Sequence, residues 1–265
     1  MLWEFWQAWR TPLNLNYVKP LGYLHESIAM RARARRCEPH WQAHYQHCQN
    51  GILQALKRAG NCSHLQEKSV LIFGAGHLED IPLADLAVNF KRVILVDLLF
   101  SLQVRRTVSV YSNVQLIEHD VTENLAALFA EPKNTATQLQ PPSKWLDRTD
   151  IGLVVSLNLI TQLPLLPAKY LLKHGWLRLE QTERFSSLLI QQHLDYLHAF
   201  RCPVCLIADR QIVEFNHAGV QLDAFNPWWQ VAAPSVIEQW DWELAPFGEI
   251  QRQTRQVHQV GLSYW

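Results

Sequence analysis

Residues 70–76 read VLIFGAG, and residues 93–97 read VILVD. The first stretch is an apolar strand that runs into a glycine-rich turn. The second is an apolar strand that ends in a carboxylate, Asp97. This order, with a helix between the strands, is the layout of a nucleotide-binding βαβ unit. Glycines let the backbone approach a ligand, and an acid at that position can accept hydrogen bonds from a ribose diol. We therefore expect a nucleotide site at the carboxyl ends of these two strands.

The composition of the chain limits the classes of function. Its 265 residues are 48% hydrophobic and 18% charged, which suits one globular α/β domain with an accessory segment. Lys+Arg and Asp+Glu each number 24, so no bulk charge favours a nucleic-acid partner or anionic lipid. No run of about eighteen apolar residues is present, so we expect no membrane span. The five irregularly spaced cysteines indicate a reducing, cytoplasmic location.

The first ten residues, MLWEFWQAWR, lack the basic region and the cleavage site of a signal peptide. Their apolar residues recur at helical spacing and form one face, consisting of Leu2, Phe5, Trp6 and Trp9. We expect this face to dock on the domain itself or on a second subunit of a homodimer. Contact with a membrane surface is the less favoured alternative.

The remainder divides into a helical part and an alternating part. Residues 1–65 are predicted to be helical, with helices over residues 24–37 and from Pro39 to Gly60. Five short apolar stretches then predict strands at residues 70–73, 93–96, 114–117, 151–157 and 204–208. Helices are predicted between them at residues 82–90, 99–108, 123–130 and 180–200. Asp80 is the predicted cap of the first of these, and residues 131–148 are predicted to be a surface loop.

The last part of the chain has a different pattern. Trp240, Trp242 and Leu244 alternate with polar residues. A second alternating stretch consists of Val260, Leu262 and Tyr264. Two alternating strands joined by a turn region predict an antiparallel pair at the edge of the sheet.

These motifs, in this order, resemble those of class I S-adenosylmethionine-dependent methyltransferases. The resemblance rests on the turn in VLIFGAGHLED, on Asp97, on Asp120 in VQLIEHDVTE, and on the fourth strand in DIGLVVSLNLITQLP. It implies an α/β fold with a Rossmann-like, doubly wound, mostly parallel sheet and an antiparallel C-terminal strand pair. Residues 66–265 would form the methyltransferase-like domain, and residues 1–65 an N-terminal helical lid and substrate wall.

The chain departs from the family pattern at two places. Ile72 stands where the family often has an acid, and no glycine follows the turn near Leu78. Recognition of the cofactor's amino group is therefore expected to fall to another residue.

The resemblance also implies a cofactor, S-adenosylmethionine, and its product S-adenosylhomocysteine. The implied cofactor contacts come from the turn, two acids and the end of strand four, namely Gly74, Gly76, Asp97, Asp120, Val121, Ser156 and Asn158. Asp97 would bind the ribose hydroxyls, and Asp120 would accept from the exocyclic amine of adenine. Each acid also has a structural alternative as a helix cap, Asp120 for a helix that begins near Thr122.

The implied activity is methyl transfer to a small-molecule acceptor. The tetrapeptide Asn-Pro-Pro-Tyr, which marks many amino-group methylators of DNA and protein, is absent, and strand four instead leads into Asn158-Leu159-Ile160. An NAD(P)-dependent oxidoreductase is one alternative, since Asp97 would serve a dinucleotide equally well. A non-catalytic, methyltransferase-like binding subunit is another, which the irregular first motif and the tryptophan-rich ends favour.

Side chains of the N-terminal helices supply the candidates for chemistry. His44 lies on one helical face with His40 and His47, beside Cys37 and Cys48. It is the candidate for a general base or a hydrogen-bond donor, and a half-exposed histidine on an amphipathic helix is the favoured alternative. We expect no metal ion there, because no carboxylate or further ligand has a diagnostic spacing.

Charged residues supply the candidates for substrate contact. Glu26, Arg33 and Arg36 would meet a charged substrate, since arginine recognises carboxylate and phosphate well. A solvated helix face is the favoured alternative for the arginines, because four of them lie within six residues, at positions 31, 33, 35 and 36. His217, which follows strand five, is a further candidate by analogy at the level of the fold.

Overall fold

The computed structural model describes residues 12–60, 64–135 and 138–265. The predicted apolar face of residues 1–10 lies outside this part of the chain. Helix α1 (Tyr23–Arg36) and helix α2 (Glu38–Gly60) follow each other with only Cys37 between them. Both helices confirm the prediction to within one residue at each end. Within the described residues, no helix is long and apolar enough to cross a membrane.

Strands and helices alternate after α2. The elements are β1 (Ser69–Phe73), α3 (Leu83–Asn89), β2 (Arg92–Asp97), α4 (Leu102–Val108), β3 (Val114–Glu118), α5 (Leu125–Ala130), α6 (Pro132–Thr135), β4 (Ile151–Leu157), α7 (Leu165–Lys173), α8 (Leu179–His198), β5 (Val204–Asn216), β6 (Gln221–Phe225), β7 (Glu238–Ala245) and β8 (Thr254–Tyr264).

All of these strands belong to one sheet, whose order is β3-β2-β1-β4-β5-β8-β7, with β6 paired to the outer part of β5. Strands β1 to β5 run parallel, and β8 pairs antiparallel with both β5 and β7. The predicted fold class is confirmed: a doubly wound, Rossmann-like α/β sheet with an antiparallel C-terminal pair.

Helices cover both faces of the sheet, which explains the unbroken apolar runs of the parallel strands. Val70 and Ile72 of β1 face the side of α2, α3 and α4, where Ile52 of α2 is fully buried. The alternate residues Leu71 and Phe73 face α8. A third apolar cluster lies at the carboxyl ends of the strands and includes α5, α7 and residues 17–21.

Three local predictions were wrong. Strand β5 extends past Ala208 to Asn216, because its polar outer half pairs with β8 and β6 rather than with the parallel strands. Helix α3 begins only at Leu83 with Pro82 as its N-cap residue, so Asp80 does not cap it. The stretch 131–148 contains helix α6, and its Trp145 is buried against Phe73.

The turn after β1 depends on a glycine at position 74. Gly74 has φ +83°, and a Cβ atom there would lie 2.3 Å from the carbonyl oxygen of Leu157. We predict that Gly74→Ala lowers the free energy of unfolding by at least about 2 kcal/mol, through backbone strain and this clash. Denaturant unfolding measures the change.

Gly219→Ala is the matched control, because Gly219 has φ +76° and a Cβ atom there would meet no other atom within 4 Å. It should cost only the strain of the left-handed backbone, about 1 kcal/mol. Equal losses for the two variants would contradict the close approach of Gly74 to strand β4.

Candidate functional site

The turn at residues 74–76 folds back onto the carboxyl end of β2. The amides of Gly74 and Ala75 donate to the carbonyl oxygen of Val96 over 3.1 and 3.2 Å. A Cβ atom at Gly76 would lie 2.8 Å from Oδ2 of Asp97. The structure therefore brings together the two glycines and the acid that the sequence assigned to one site.

Asp97 is held by backbone amides and lies largely out of water. Its Oδ1 accepts a hydrogen bond from the Leu98 amide at 2.7 Å, and the amides of Gly76 and Leu99 also stabilise the carboxylate. Burial nevertheless raises the pKa of Asp97 to about 6, and these amides offset only part of that effect. A carboxylate has about four lone-pair directions, so one remains for a ligand.

Asp120 caps the loop that precedes a helix, which is the structural alternative that the sequence offered for it. Its Oδ1 accepts from the amide and hydroxyl of Thr122 at 2.9 and 2.7 Å, and its Oδ2 accepts from the amides of Asn124 and Leu125 at 2.9 and 2.7 Å. These four donors fill both oxygens and hold the loop that leads into α5. Asp120 therefore has no lone pair left for adenine. Val121 beside it is buried in the core that faces α8.

Ser156 is also a core residue. It is fully buried, and its Oγ lies 3.1 Å from Nε2 of His193 on helix α8. Burial lowers the pKa of His193 to about 3, so the pair is neutral. The predicted position of the Ser156 side chain at the border of the methyl-transfer site is corrected: the side chain lies inside the sheet–helix interface.

Asn158, two residues further on, does face the carboxyl edge. Its φ of +48° is left-handed, a conformation that asparagine tolerates better than most residues. The amide nitrogen Nδ2 donates to Oδ2 of Asp80 at 3.1 Å and to Sγ of Cys48 at 3.7 Å, and it lies 3.2 Å from Nε2 of His44. We call His44, Cys48, Asp80 and Asn158 the polar cluster. It joins helix α2, the loop after β1 and the end of β4.

The aromatic residues of β7 determine the protonation of His44. Trp240 Nε1 donates to Nδ1 of His44 at 3.1 Å, and Trp242 stacks on the imidazole at a centroid distance of 3.9 Å. Because Nδ1 accepts, the neutral ring carries its proton on Nε2. Burial lowers the pKa of His44 to about 3, which keeps the ring neutral. The N–H of Nε2 therefore donates towards Sγ of Cys48, 3.5 Å away, and no ring nitrogen of His44 is left to act as the predicted general base.

The same geometry opposes a metal ion at the polar cluster. Ligand atoms of His44, Cys48 and Asp80 lie within 4.8 Å of one another. A histidine that ligates a metal donates its other ring N–H outward, whereas Nδ1 of His44 accepts from Trp240. The amide nitrogen of Asn158 also contacts all three ligand groups.

The two other histidines of the predicted helical face point to β7. Nδ1 of His40 lies 2.5 Å from Glu243, and Nδ1 of His47 lies 2.8 Å from Glu238. These contacts attach α2 to the C-terminal strands.

Asp80 is the residue of the site that the sequence misassigned. Its carboxylate is buried, and burial raises its pKa to about 7, helped by the nearby negative charges of Glu79 and Asp97. Its own backbone amide and the Asn158 side chain only partly oppose this. One signal was present in the sequence: Pro82 and the residues before it delay the start of α3, which leaves Asp80 in the loop.

The predicted substrate residues lie elsewhere. Arg33 and Arg36 both pair with Glu249, at 3.3 and 2.5 Å, and so fasten α1 to the turn before β8. Glu26 is exposed in the first turn of α1. His217 is exposed and stacks on Phe247 at a centroid distance of 4.0 Å. It follows β5 ten residues after Ile207, the last residue that pairs with β4, which is roughly 30 Å along an extended strand.

A segment before α1 covers the carboxyl ends of β2 and β3. We call residues 14–22 the covering segment. Nδ2 of Asn14 donates to Glu118 at 2.6 Å, and Tyr17 and Val18 are buried in one cluster with Leu99. Burial, together with the charge of Asp120, raises the pKa of Tyr17 to about 12 and raises the pKa of Tyr23 well above its usual value.

Comparisons with known proteins add little. No protein-family model matches the chain, and no curated protein matches it. A solved structure described as a DhpI–SAH complex is similar over 88% of this chain and 95% of its own, with 11% identity and a TM-score of 0.34. That likeness is too weak to carry an argument about fold or function.

The buried carboxyl of Asp80 predicts an unusual pH dependence of stability. Folding raises its pKa from about 3.8 to about 7, so stability falls as the pH rises from about 4 to 7 and stays low above that. Asp80→Asn should therefore raise the free energy of unfolding at pH 8 by about 2–4 kcal/mol. Denaturant unfolding at pH 4 and at pH 8 measures this.

At pH 4 the two proteins should be nearly equally stable, because Asp80 is then protonated in the folded state. A variant that is no more stable than the parent at pH 8 would show that Asp80 is not held in a desolvated state.

Proposed function

We propose that this protein binds S-adenosylmethionine at the carboxyl ends of β1 and β2 and transfers its methyl group to a small-molecule acceptor. The observation that carries the proposal is the placement of Asp97 and Asp80 on either side of the turn at residues 74–76, in a sheet that ends in an antiparallel pair. Open α/β sheets bind ligands at this edge.

The charge of the site suits a sulfonium cofactor. The Asp80 carboxylate is buried and Asp97 is half-buried, and the pKa of each is raised because its negative charge is poorly solvated. A cationic ligand would offset this cost. The remaining lone pair of Asp97 would accept from one ribose hydroxyl, and the glycines would let the cofactor approach the backbone.

A dinucleotide fits the same site less well. Its diphosphate needs the N-terminus of a helix directly after the glycine turn. Here α3 begins at Leu83, and Glu79 and Asp80 stand between the turn and that helix. Both the geometry and the charge of the loop therefore favour a cofactor without phosphates.

The protein's part in methyl transfer would be alignment and exclusion of water. A sulfonium already activates the methyl group, so orientation of the acceptor supplies much of the rate. Asn158, His44 and the aromatic residues of β7 line the side of the turn that faces α2. The zero formal net charge supports a small acceptor over a nucleic acid.

A non-catalytic binding subunit is the second candidate. The specific observation in its favour is the covering segment, whose Tyr17 and Val18 pack with Leu99 close behind Asp97. In a subunit that has lost its cofactor this packing would be permanent. In an enzyme it would open or rearrange when the cofactor enters.

Isothermal calorimetry with S-adenosylmethionine, with S-adenosylhomocysteine and with NADH tests the proposal. We expect both adenosyl ligands to bind and NADH not to bind. Asp97→Asn should weaken binding by about tenfold or more, because a hydrogen bond to a charged group is lost. Asp241→Asn, which changes an exposed acid on β7, is the control with an expected affinity equal to that of the parent.

Two results would count against the proposal. One is the absence of binding by either adenosyl ligand at millimolar concentration. The other is an Asp97→Asn variant that binds as tightly as the Asp241→Asn control.

A further inference from the structure

Two oxygen atoms of the polar cluster lack the hydrogen-bond donors that their burial requires. Oδ1 of Asp80 and Oδ1 of Asn158 are shielded from solvent and accept no hydrogen bond from the described residues. Nδ2 of Asn158 donates to Oδ2 of Asp80 over 3.1 Å. In each of these two side chains, the atom without a partner is the other terminal atom, Oδ1. A buried acceptor without a donor is unfavourable, and most so when it carries charge.

The side chains that contact the Asp80 carboxylate are neutral, and among the nearby charged groups Glu79 and Asp97 are negative and Arg31 is positive. The titratable groups near it lie in its own loop, at the end of β2, and on α1 and α2; they are His77, Glu79, Asp97, Arg31, His44, Tyr45 and Cys48. Burial keeps Tyr45 and Cys48 protonated and His44 neutral. Arg31 interacts with Glu79 and donates to Ser101 and Gln103.

We propose that Asp80 and Asn158 form a binding site for a primary ammonium group, with Oδ1 of Asp80 as its main acceptor. An ammonium group has three donors and one positive charge, so it meets both the missing hydrogen bonds and the uncompensated carboxylate. A hydroxyl would supply one donor and no charge. A metal ion is disfavoured by the tautomer of His44.

Two kinds of molecule could carry this ammonium group. One is the amino group of the adenosyl cofactor, for which the chain has no acid two residues before its first glycine, since Ile72 stands there. The other is an amine acceptor of the methyl group. Only the choice between these two molecules rests on the proposed function. The ammonium site itself does not, because the two acceptor oxygens are present whether or not the protein transfers methyl groups.

Binding of an ammonium group would be linked to pH. Asp80 must be ionised to pair with a cation, and its pKa in the free protein is raised to about 7 by burial. The affinity should therefore fall as the pH drops below about 7, approaching tenfold for each pH unit. The pH dependence should disappear when Asp80 is replaced by asparagine.

The first test uses the full chain and no nucleoside. The carboxyl carbon of Asp80 is titrated by ¹³C NMR alone, with n-butylammonium chloride, and with n-butanol. We expect n-butylammonium to lower the pKa of Asp80 by about 0.5 or more, and n-butanol to leave it unchanged. An equal titration in all three solutions would overturn the ammonium site, even if S-adenosylhomocysteine binds elsewhere at the edge.

The second test identifies the source by calorimetry at pH 6 and pH 8. S-adenosylhomocysteine carries an ammonium group, whereas 5′-methylthioadenosine does not. If the cofactor supplies the ammonium, Asp80→Asn weakens S-adenosylhomocysteine binding at pH 8 by about tenfold or more and leaves methylthioadenosine binding unchanged. Glu79→Gln, which removes an exposed charge from the same loop, is the matched control and should have a much smaller effect.

The outcomes separate the two claims. A response of Asp80 to n-butylammonium together with an Asp80-dependent S-adenosylhomocysteine affinity assigns the site to the cofactor. A response to n-butylammonium together with S-adenosylhomocysteine binding that does not depend on Asp80 assigns it to an amine acceptor. Absence of any nucleoside binding would refute the proposed function, while the NMR titration would still decide whether the ammonium site exists.

Discussion

The close packing of the turn at residues 74–76 against the ends of β2 and β4 is the constraint on which the site depends. Gly74 approaches the carbonyl oxygen of Leu157 so closely that no side chain fits, and a Cβ atom at Gly76 would lie 2.8 Å from the carboxylate of Asp97. These contacts fix the positions of three strand ends relative to one another. Desolvation at this edge raises the pKa values of Asp97 and Asp80.

A buried carboxylate without a cationic partner is costly for folding, and carboxylates of this kind cluster at functional sites. Asp120 shows the contrast within the same molecule. It is also buried, but four donors from its own loop satisfy it, and it acts as a structural element. Asp80 and Asp97 retain acceptor capacity at the end where an open sheet binds its ligand. The covering segment closes this edge from outside, and aromatic residues of β7 hold His44 as a neutral donor beside it.

Much of the fold followed from the sequence, because short apolar runs separated by glycine, proline and acidic residues are strong local signals. The strands β1 to β4 and the pair β7–β8 lie where the pattern predicted them. The outer half of β5 could not be predicted from periodicity, since its polar residues are strand only through pairing with β8 and β6.

The glycines and Asp97 converge as expected. Side-chain direction and ion pairing are tertiary properties that the pattern could not predict: Ser156 turns towards His193, and Arg33 and Arg36 pair with Glu249. The polar cluster was not predictable, because its members come from three separate segments.

The central claim is that the edge formed by residues 74–76 and Asp97 is an adenosyl-ligand site. A crystal structure of the protein soaked with S-adenosylhomocysteine tests this claim most directly. We expect electron density for the ligand beside the glycine turn, with a ribose hydroxyl that donates to the carboxylate of Asp97. We also expect the covering segment to have moved away from Leu99. Density for the ligand at any other place, or an unliganded edge in crystals whose covering segment is free to move, would contradict it.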